Sequence, residues 1–236
     1  SFKNLNKYKF DVDKFDYVIN TSINSKYIKE KYKENYDNDL KISKFIKKKN
    51  TKYIFLSTRK VYQSRANIKE NSKLMPKSNY AKNKLKTEKK LITSLKKNLI
   101  ILRISNVIGD KSKVKKIHNT FIDIFFQNIK KGFIFENGKD FKDFISIEKF
   151  CEIVKSIINK DLSGIFNVSI GKKIYLNEII NWLNKYNKKN VKIKYKKIRE
   201  DCFFLNNKKL MSKIKVNNSK LELKKYCLKI SKKRFY

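Results

Sequence analysis

Tyr80 and Lys84 stand four residues apart in a stretch that runs Pro76-Lys77-Ser78-Asn79-Tyr80 and then enters a helical pattern. Residues i and i+4 share a helix face, so both side chains can enter one site. A further hydroxyl is offered by Ser57-Thr58, which closes the apolar run Tyr53-Ile54-Phe55-Leu56. A free tyrosine titrates near pH ~10 and is a poor base at neutrality. A neighbouring ammonium favours the phenolate and lowers that value. A threonine hydroxyl can hydrogen-bond the same substrate oxygen. Thr58, Tyr80 and Lys84 together have the chemistry of a proton shuttle, for a hydroxyl being oxidised or a ketone being reduced. The hydride must come from a cofactor, because no side chain supplies one.

Spacing alone does not carry this reading. Lysine is so abundant that about three Tyr-x-x-x-Lys matches are expected by chance. There are two, Tyr27/Lys31 and Tyr80/Lys84. The surroundings separate them. A strand pattern ends in Ser57-Thr58 and runs on as Arg59-Lys60-Val61-Tyr62-Gln63; Glu70, Pro76, Ser78, Tyr80, Lys84 and Glu88 follow in order. Downstream come Leu102-Arg103-Ile104-Ser105-Asn106-Val107-Ile108-Gly109, Lys142-Asp143-Phe144-Ile145-Ser146-Ile147-Glu148 and Gly164-Ile165-Phe166-Asn167-Val168. This series, across residues 16–182, resembles the extended short-chain dehydrogenase/reductase family, in its NAD-dependent epimerase/dehydratase group acting on nucleotide sugars.

The resemblance implies roles for particular residues. Tyr80 would be the acid/base. Lys84 would lower its pKa and hold the nicotinamide ribose. Thr58 would bond the reacting oxygen, and Asn106 the substrate diphosphate. Asn20, Thr21 and Ser22 end a strand that lies beside the cofactor in the family, so Thr21 and Ser22 are candidate cofactor contacts; an ordinary strand end reads equally well there. A family asparagine supports the lysine through water, and Asn35 and Asn38 compete for that place, with Asn35 favoured by spacing. The cofactor would be NAD or NADP and the substrate a nucleotide sugar. A homodimer is compatible with the family. The family's dehydratases carry an acidic pair after Ser-Thr; here it is Arg59-Lys60, and a cation cannot act as a carboxylate acid or base. Epimerase or reductase chemistry is expected instead. A catalytically silent member of the family is the alternative.

The elements that must position these residues read as α/β. Strand patterns at 16–23, 53–58, 99–107 and 165–170 alternate with helical ones at 34–49, 79–97, 147–159 and 176–186, as parallel βαβ units do. The resemblance makes this a Rossmann-like parallel sheet over 1–110 and 143–170, with a small α/β substrate lobe over 111–142 and 171–236. Helix 34–49 should face inward with Leu40, Ile42, Phe45 and Ile46, and helix 79–97 with Ala81, Leu85, Ile92 and Leu95. Residues 191–198 alternate with period two, as an exposed strand would. The family's glycine-rich phosphate turn precedes the strand at 16–23, yet the first glycine here is Gly109. That turn is expected upstream, in roughly 40–60 further residues of the gene.

Composition excludes several classes. No apolar run approaches the ~18 residues of a membrane span. Cys151, Cys202 and Cys227 lack metal-ligand spacing, the lone His118 has no clustered partners, and a reducing cytoplasm is the expected setting. The net charge of +39 suggests nucleic acid, but only five of the 60 basic residues are arginine. Specific phosphate and base contacts favour the arginine fork. The lysines read as solvated faces of a chain with AT-rich codon bias, leaving non-specific attraction to polyanions and no specific nucleic-acid partner.

Overall fold

The structure, a computed structural model, describes residues 12–46, 50–110, 121–136, 140–195 and 201–236. His118 lies outside them, as does the dipeptide Asn137-Gly138, whose composition suggests a turn. The order is β1 (Tyr17–Ile19), α1 (Ser25–Lys29), α2 (Asn38–Ser43), β2 (Lys52–Thr58), α3 (Asn79–Leu95), β3 (Leu99–Ile104), β4 (Asn106–Ile108), α4 (Phe121–Lys130) and β5 (Phe133–Glu136). There follow β6 (Phe141–Lys142), β7 (Phe144–Ser146), α5 (Ile147–Asn159), β8 (Gly164–Val168), β9 (Ile174–Tyr175), α6 (Leu176–Asn184), β10 (Lys192–Tyr195), α7 (Lys208–Met211) and α8 (Lys220–Phe235). The chain divides into two compact units. One holds the described residues up to Gln63, with Glu70–Ile104 and Ile157–Asn167; the other holds those of Ser64–Lys69, Ser105–Ser156 and Val168–Tyr236.

The first unit is built on a sheet in the order β1-β2-β3-β8. β1 runs parallel to β2, with Ile19 opposite Ile54, and β2 runs parallel to β3, with Thr58 opposite Ile104. Ile54, Phe55, Ile100 and Leu102 are fully buried, as expected of a parallel sheet covered on both faces. Leu40, Ile42, Tyr53, Phe55, Leu91, Leu99 and Ile101 form its core. β1 is shorter than the pattern at 16–23 suggests, because Asn20 folds back on the chain. Its Oδ1 accepts from the Ser22 amide at 2.9 Å and its Nδ2 donates to the Ser22 carbonyl at 3.0 Å, an Asx turn that ends the strand.

α3 starts at Ser78, whose hydroxyl accepts from the Ala81 amide at 3.3 Å, a hydroxyl cap. Its inward face is Ala81, Lys84, Glu88 and Leu91; Ile92 is 44% exposed. Glu88 forms a bidentate pair with Arg103 of β3, at 2.6 Å to Nη2 and 3.1–3.2 Å to Nε, and accepts a further hydrogen bond from Ser57. Arg103 also donates to the Tyr62 hydroxyl at 2.9 Å and the Glu70 carbonyl at 3.0 Å. The short α2 carries Leu40 and Ile42 inward, while Phe45, beyond its end, is 42% exposed.

The second unit packs α4, α6 and α8 around a core of Ile108, Phe125, Phe144, Ile179, Leu183, Leu223, Cys227 and Ile230. Residues 99–107 do not form one strand: β3 ends at Ile104, and β4 pairs with β7 in a separate ladder. β10 is exposed at every position and pairs with β5. Asp143, just before β7, is fully buried. Its Oδ2 accepts from the amides of Gly171 at 3.2 Å and Leu205 at 3.0 Å, whereas Oδ1 has no hydrogen-bond partner among the described residues. Burial pushes its carboxyl up to about 7, against the pull of the backbone and Ser169 hydrogen bonds.

A carboxyl held above its unfolded value near ~3.9 binds a proton in the native state that the unfolded chain releases. Its contribution is therefore largest below pH ~4 and is lost as pH rises through about 7. Urea midpoints should fall between pH 5 and 8, and Asp143→Asn should flatten that fall. Equal pH slopes in the two chains would contradict this.

Candidate active site

Thr58 ends β2 and opens a 3-10 turn over Arg59–Val61, its hydroxyl accepting from the Lys60 amide at 3.3 Å. Tyr80 stands in the first turn of α3, and the Thr58 hydroxyl is the group that pulls its phenol down against burial. Lys84 follows one turn later and is 5% exposed. Its Nζ lies 4.4 Å from the centroid of the Phe55 ring on β2 and 5.7 Å from that of Tyr27 on α1. Tyr80 and Lys84 thus lie one turn apart on α3, which packs against β2 and the turn that Thr58 opens.

Asp39 of α2, a residue the sequence reading did not single out, meets Lys84. It is 5% exposed, and its Oδ2 lies 3.4 Å from Lys84 Nζ. Its Oδ1 accepts from Asn20 Nδ2 at 2.9 Å and from the Tyr53 hydroxyl at 2.7 Å. The asparagines expected to support the lysine are elsewhere. Asn35 is exposed, and its carbonyl accepts from Lys41 Nζ at 2.6 Å; Asn38 Nδ2 donates to Ser22 Oγ at 3.1 Å. The sign that could have found Asp39 was a carboxylate on the inward side of a helix, between Asp37 and Leu40. Asn83 was missed too. It is 1% exposed and donates to the carbonyls of Tyr27 at 2.8 Å and Glu30 at 2.9 Å, tying the end of α1 to α3.

The phenol departs from expectation. Burial pushes Tyr80 up to about 12; the Thr58 hydrogen bond pulls it back and the Asp39 charge pushes it further up. This is the reverse of the lowering expected from Lys84, because burial is the larger effect. The chance pair Tyr27/Lys31 is not a site. α1 ends at Lys29, so Lys31 is off the helix, and the Tyr27 hydroxyl is paired with Thr87 Oγ1 at 2.6 Å in the core.

Thr21 and Ser22 are exposed just past the end of β1. Thr58 ends β2, which runs the same way, so all three lie at carboxyl ends of parallel strands, where open α/β sheets take ligands. Lys84 has three donor protons and one hydrogen-bond acceptor among the described residues. Donors are left for the hydroxyls of a ribose, and the residues fit a nicotinamide nucleoside. Asn106, in the second unit, is half-buried in β4 and donates to the Asp143 carbonyl at 3.2 Å. No group of His, Cys, Asp and Glu among the described residues could hold a metal, and no described helix is long and apolar enough to cross a membrane.

Solved structures share this fold. The UDP-Glc/GlcNAc 4-epimerase of Campylobacter jejuni superposes with a TM-score of 0.77 at 19% identity, over 98% of this chain and 80% of that one. The UDP-N-acetylglucosamine 4-epimerase of Methanobrevibacter ruminantium M1, in complex with UDP-N-acetylmuramic acid, gives 0.70 at 23%, over 95% and 81%. The dTDP-glucose 4,6-dehydratase of Bacillus anthracis, in complex with NAD, gives 0.72 at 15%, over 98% and 75%. No curated protein sequence matches the chain. The profile of the NAD dependent epimerase/dehydratase family matches residues 3–169. Spanning well over half of the sequence and the whole Thr58–Lys84 stretch, that match makes the chain a member of the NAD-dependent epimerase/dehydratase family.

Proposed function

We propose that the chain carries out oxidation or reduction at a sugar carbon of a nucleotide sugar, as an epimerase or a reductase. The observation that carries this is Lys84, buried one turn after Tyr80 on α3 and held at Asp39 and at the Phe55 ring of β2, the strand that Thr58 ends. NAD or NADP, when bound, supplies or accepts the hydride. Tyr80 exchanges a proton with the sugar oxygen. Thr58, at the end of β2, hydrogen-bonds the same oxygen and fixes its direction. Lys84 donates its remaining protons to the nicotinamide ribose. Thr21 and Ser22 offer hydroxyls to the cofactor, Asn106 contacts the substrate diphosphate, and residues 111–142 and 171–236 serve as the substrate lobe. The epimerases that share the fold act on UDP sugars by their descriptions, which supports a substrate of that class.

Elimination of water does not fit. Where a dehydratase needs two carboxyls after Ser-Thr, this chain has Arg59, 6% exposed, and Lys60, exposed. The full-length protein should give no 4-keto-6-deoxy product from any nucleotide hexose. Mass spectrometry showing loss of water would contradict that.

The acid/base role is tested by three variants of the full-length protein. Tyr80→Phe should keep fold and dinucleotide binding while turnover falls roughly 100-fold or more. Lys84→Met should weaken dinucleotide binding, and it should also cost stability, because it leaves the Asp39 carboxylate buried without its cation. Tyr27→Phe should lose about 1 kcal/mol of stability with its Thr87 bond and leave turnover unchanged. Full turnover in Tyr80→Phe, or equal damage in Tyr27→Phe, would overturn the assignment.

A further inference from the structure

The carboxyl of Asp143 is fully buried and takes no part in the chemistry above. Residues 203–206 run past it as a strap within the same unit. On one side the strap holds Ile68, in a parallel bridge with Leu205. The Ile68 amide donates to the Phe204 carbonyl at 3.0 Å, and the Asn206 amide donates to the Ile68 carbonyl at 2.7 Å. Asn206 Nδ2 adds a bond to Asn67 Oδ1 at 2.9 Å. Leu205 turns its own amide the other way, to Asp143 Oδ2 at 3.0 Å. Successive residues of an extended segment point their backbone groups to opposite sides, so the carboxyl stands where a further strand would stand. Ile68, Phe203 and Leu205 are all fully buried beneath this arrangement. The strap ends at Asn207, whose Nδ2 donates to the Ser169 carbonyl at 2.8 Å just before α7.

We infer that Asp143 is a proton-controlled latch: as the neutral carboxyl it pins the strap 203–206 shut over Ile68, and on ionising it lets the strap open and release that residue. Both amide donors, from Leu205 and from Gly171 at 3.2 Å, fall on Oδ2, while Oδ1 has no hydrogen-bond partner among the described residues. A neutral carboxyl tolerates such a place. A carboxylate there puts charge on an oxygen that nothing solvates, which is costly. β4, β7, the turn after β8 and the strap surround it. None of them brings a charged or titratable side chain into an interaction with it among the described residues, so the compensation must be water. Of these elements, β4 and β7 are paired with each other, and Ser169 after β8 is tied through its carbonyl to Asn207 and Asn218. The strap belongs to no sheet and meets Ile68 by an isolated bridge. It is the element that can lift. What it releases, Asn67-Ile68, lies in the stretch of chain that joins Thr58 to Tyr80.

Burial holds the closed carboxyl up at about 7, whereas with the strap open it titrates near its ordinary value of ~3.9. Between those values the closed form keeps a proton that the open form gives up, so opening becomes more frequent as pH rises. Amide hydrogen exchange of the full chain, read by NMR, reports that opening. After correction for the exchange rate of an unstructured amide, the opening constants of Ile68, Leu205 and Asn206 should rise about tenfold or more from pH 5 to pH 7. They should also exceed those of Leu183 in α6 and Cys227 in α8, which are fully buried in the core of the same unit and open only when it unfolds. Asp143→Asn keeps an oxygen that accepts from Leu205 and Gly171 but cannot ionise, so its opening constants should not change with pH. Flat opening constants in the unchanged chain overturn the inference, a result that needs no variant to fold. Equal constants at Ile68 and Leu183 overturn it too, because the unit then opens as a whole. So does a pH slope that survives in folded Asp143→Asn. None of these outcomes bears on the turnover of Tyr80→Phe, which tests the active-site reading.

Discussion

The site depends on one buried ion pair. Glu88 on α3 and Arg103 on β3 are 1% and 4% exposed at their side chains, and they meet through the bidentate fork that suits arginine to carboxylates. Removing one partner of such a pair typically costs about 3–5 kcal/mol, because the other charge is left buried. The pair admits little freedom. Sliding α3 along the sheet by one residue would carry Glu88 about 1.5 Å along the helix axis and turn it about 100° away from Arg103. The register that satisfies Glu88 also sets Lys84 one turn earlier and Tyr80 two turns earlier. Ser57, bonded to Glu88, is adjacent to Thr58. One electrostatic constraint in the core thereby sets the register of the helix against the end of the strand.

This helix face is unusual in what it buries. Asn83, Lys84, Thr87 and Glu88 all lie within it, each matched to a partner from another segment: Asn83 to the end of α1, Lys84 to Asp39, Thr87 to Asp37 and Tyr27, Glu88 to Arg103 and Ser57. Buried polar groups without partners are costly, and full satisfaction makes such networks specific. A loose hydrophobic contact tolerates rotation and sliding. A network with this many fixed partners does not, and a proton shuttle needs its atoms held.

The same face explains where the sequence was legible and where it was not. The ordered motifs from Ser57 to Asn167 located the strands, the helices and the Thr58–Tyr80–Lys84 trio, because those elements are local. Of the inward stripe expected of α3, Ala81 is buried, Leu95 packs against the core, Leu85 is half-buried and Ile92 is exposed. Lys84 and Glu88 occupy inward positions, and no periodicity rule sends charges inward when their partners lie 15 or more residues away. Asp39 escaped notice for the same reason: its three partners come from residues 20, 53 and 84. The lowered phenol was expected from Lys84 considered alone, and burial, which spacing does not show, reverses the outcome. The strand at 99–107 was read as one element because its apolar character is continuous, whereas the chain leaves the sheet at Ser105 to start a second ladder with β7.

The Glu88–Arg103 pair holds α3 against the sheet and with it sets where Tyr80 stands relative to Thr58. That placement is tested most directly by the nuclear Overhauser contact between the Tyr80 ring protons and the Thr58 methyl group. This contact should be present in the unchanged chain and weakened or lost in Arg103→Met, even where circular dichroism shows that α3 persists. Absence of the contact in the folded unchanged chain would contradict the account, and so would its full survival in Arg103→Met.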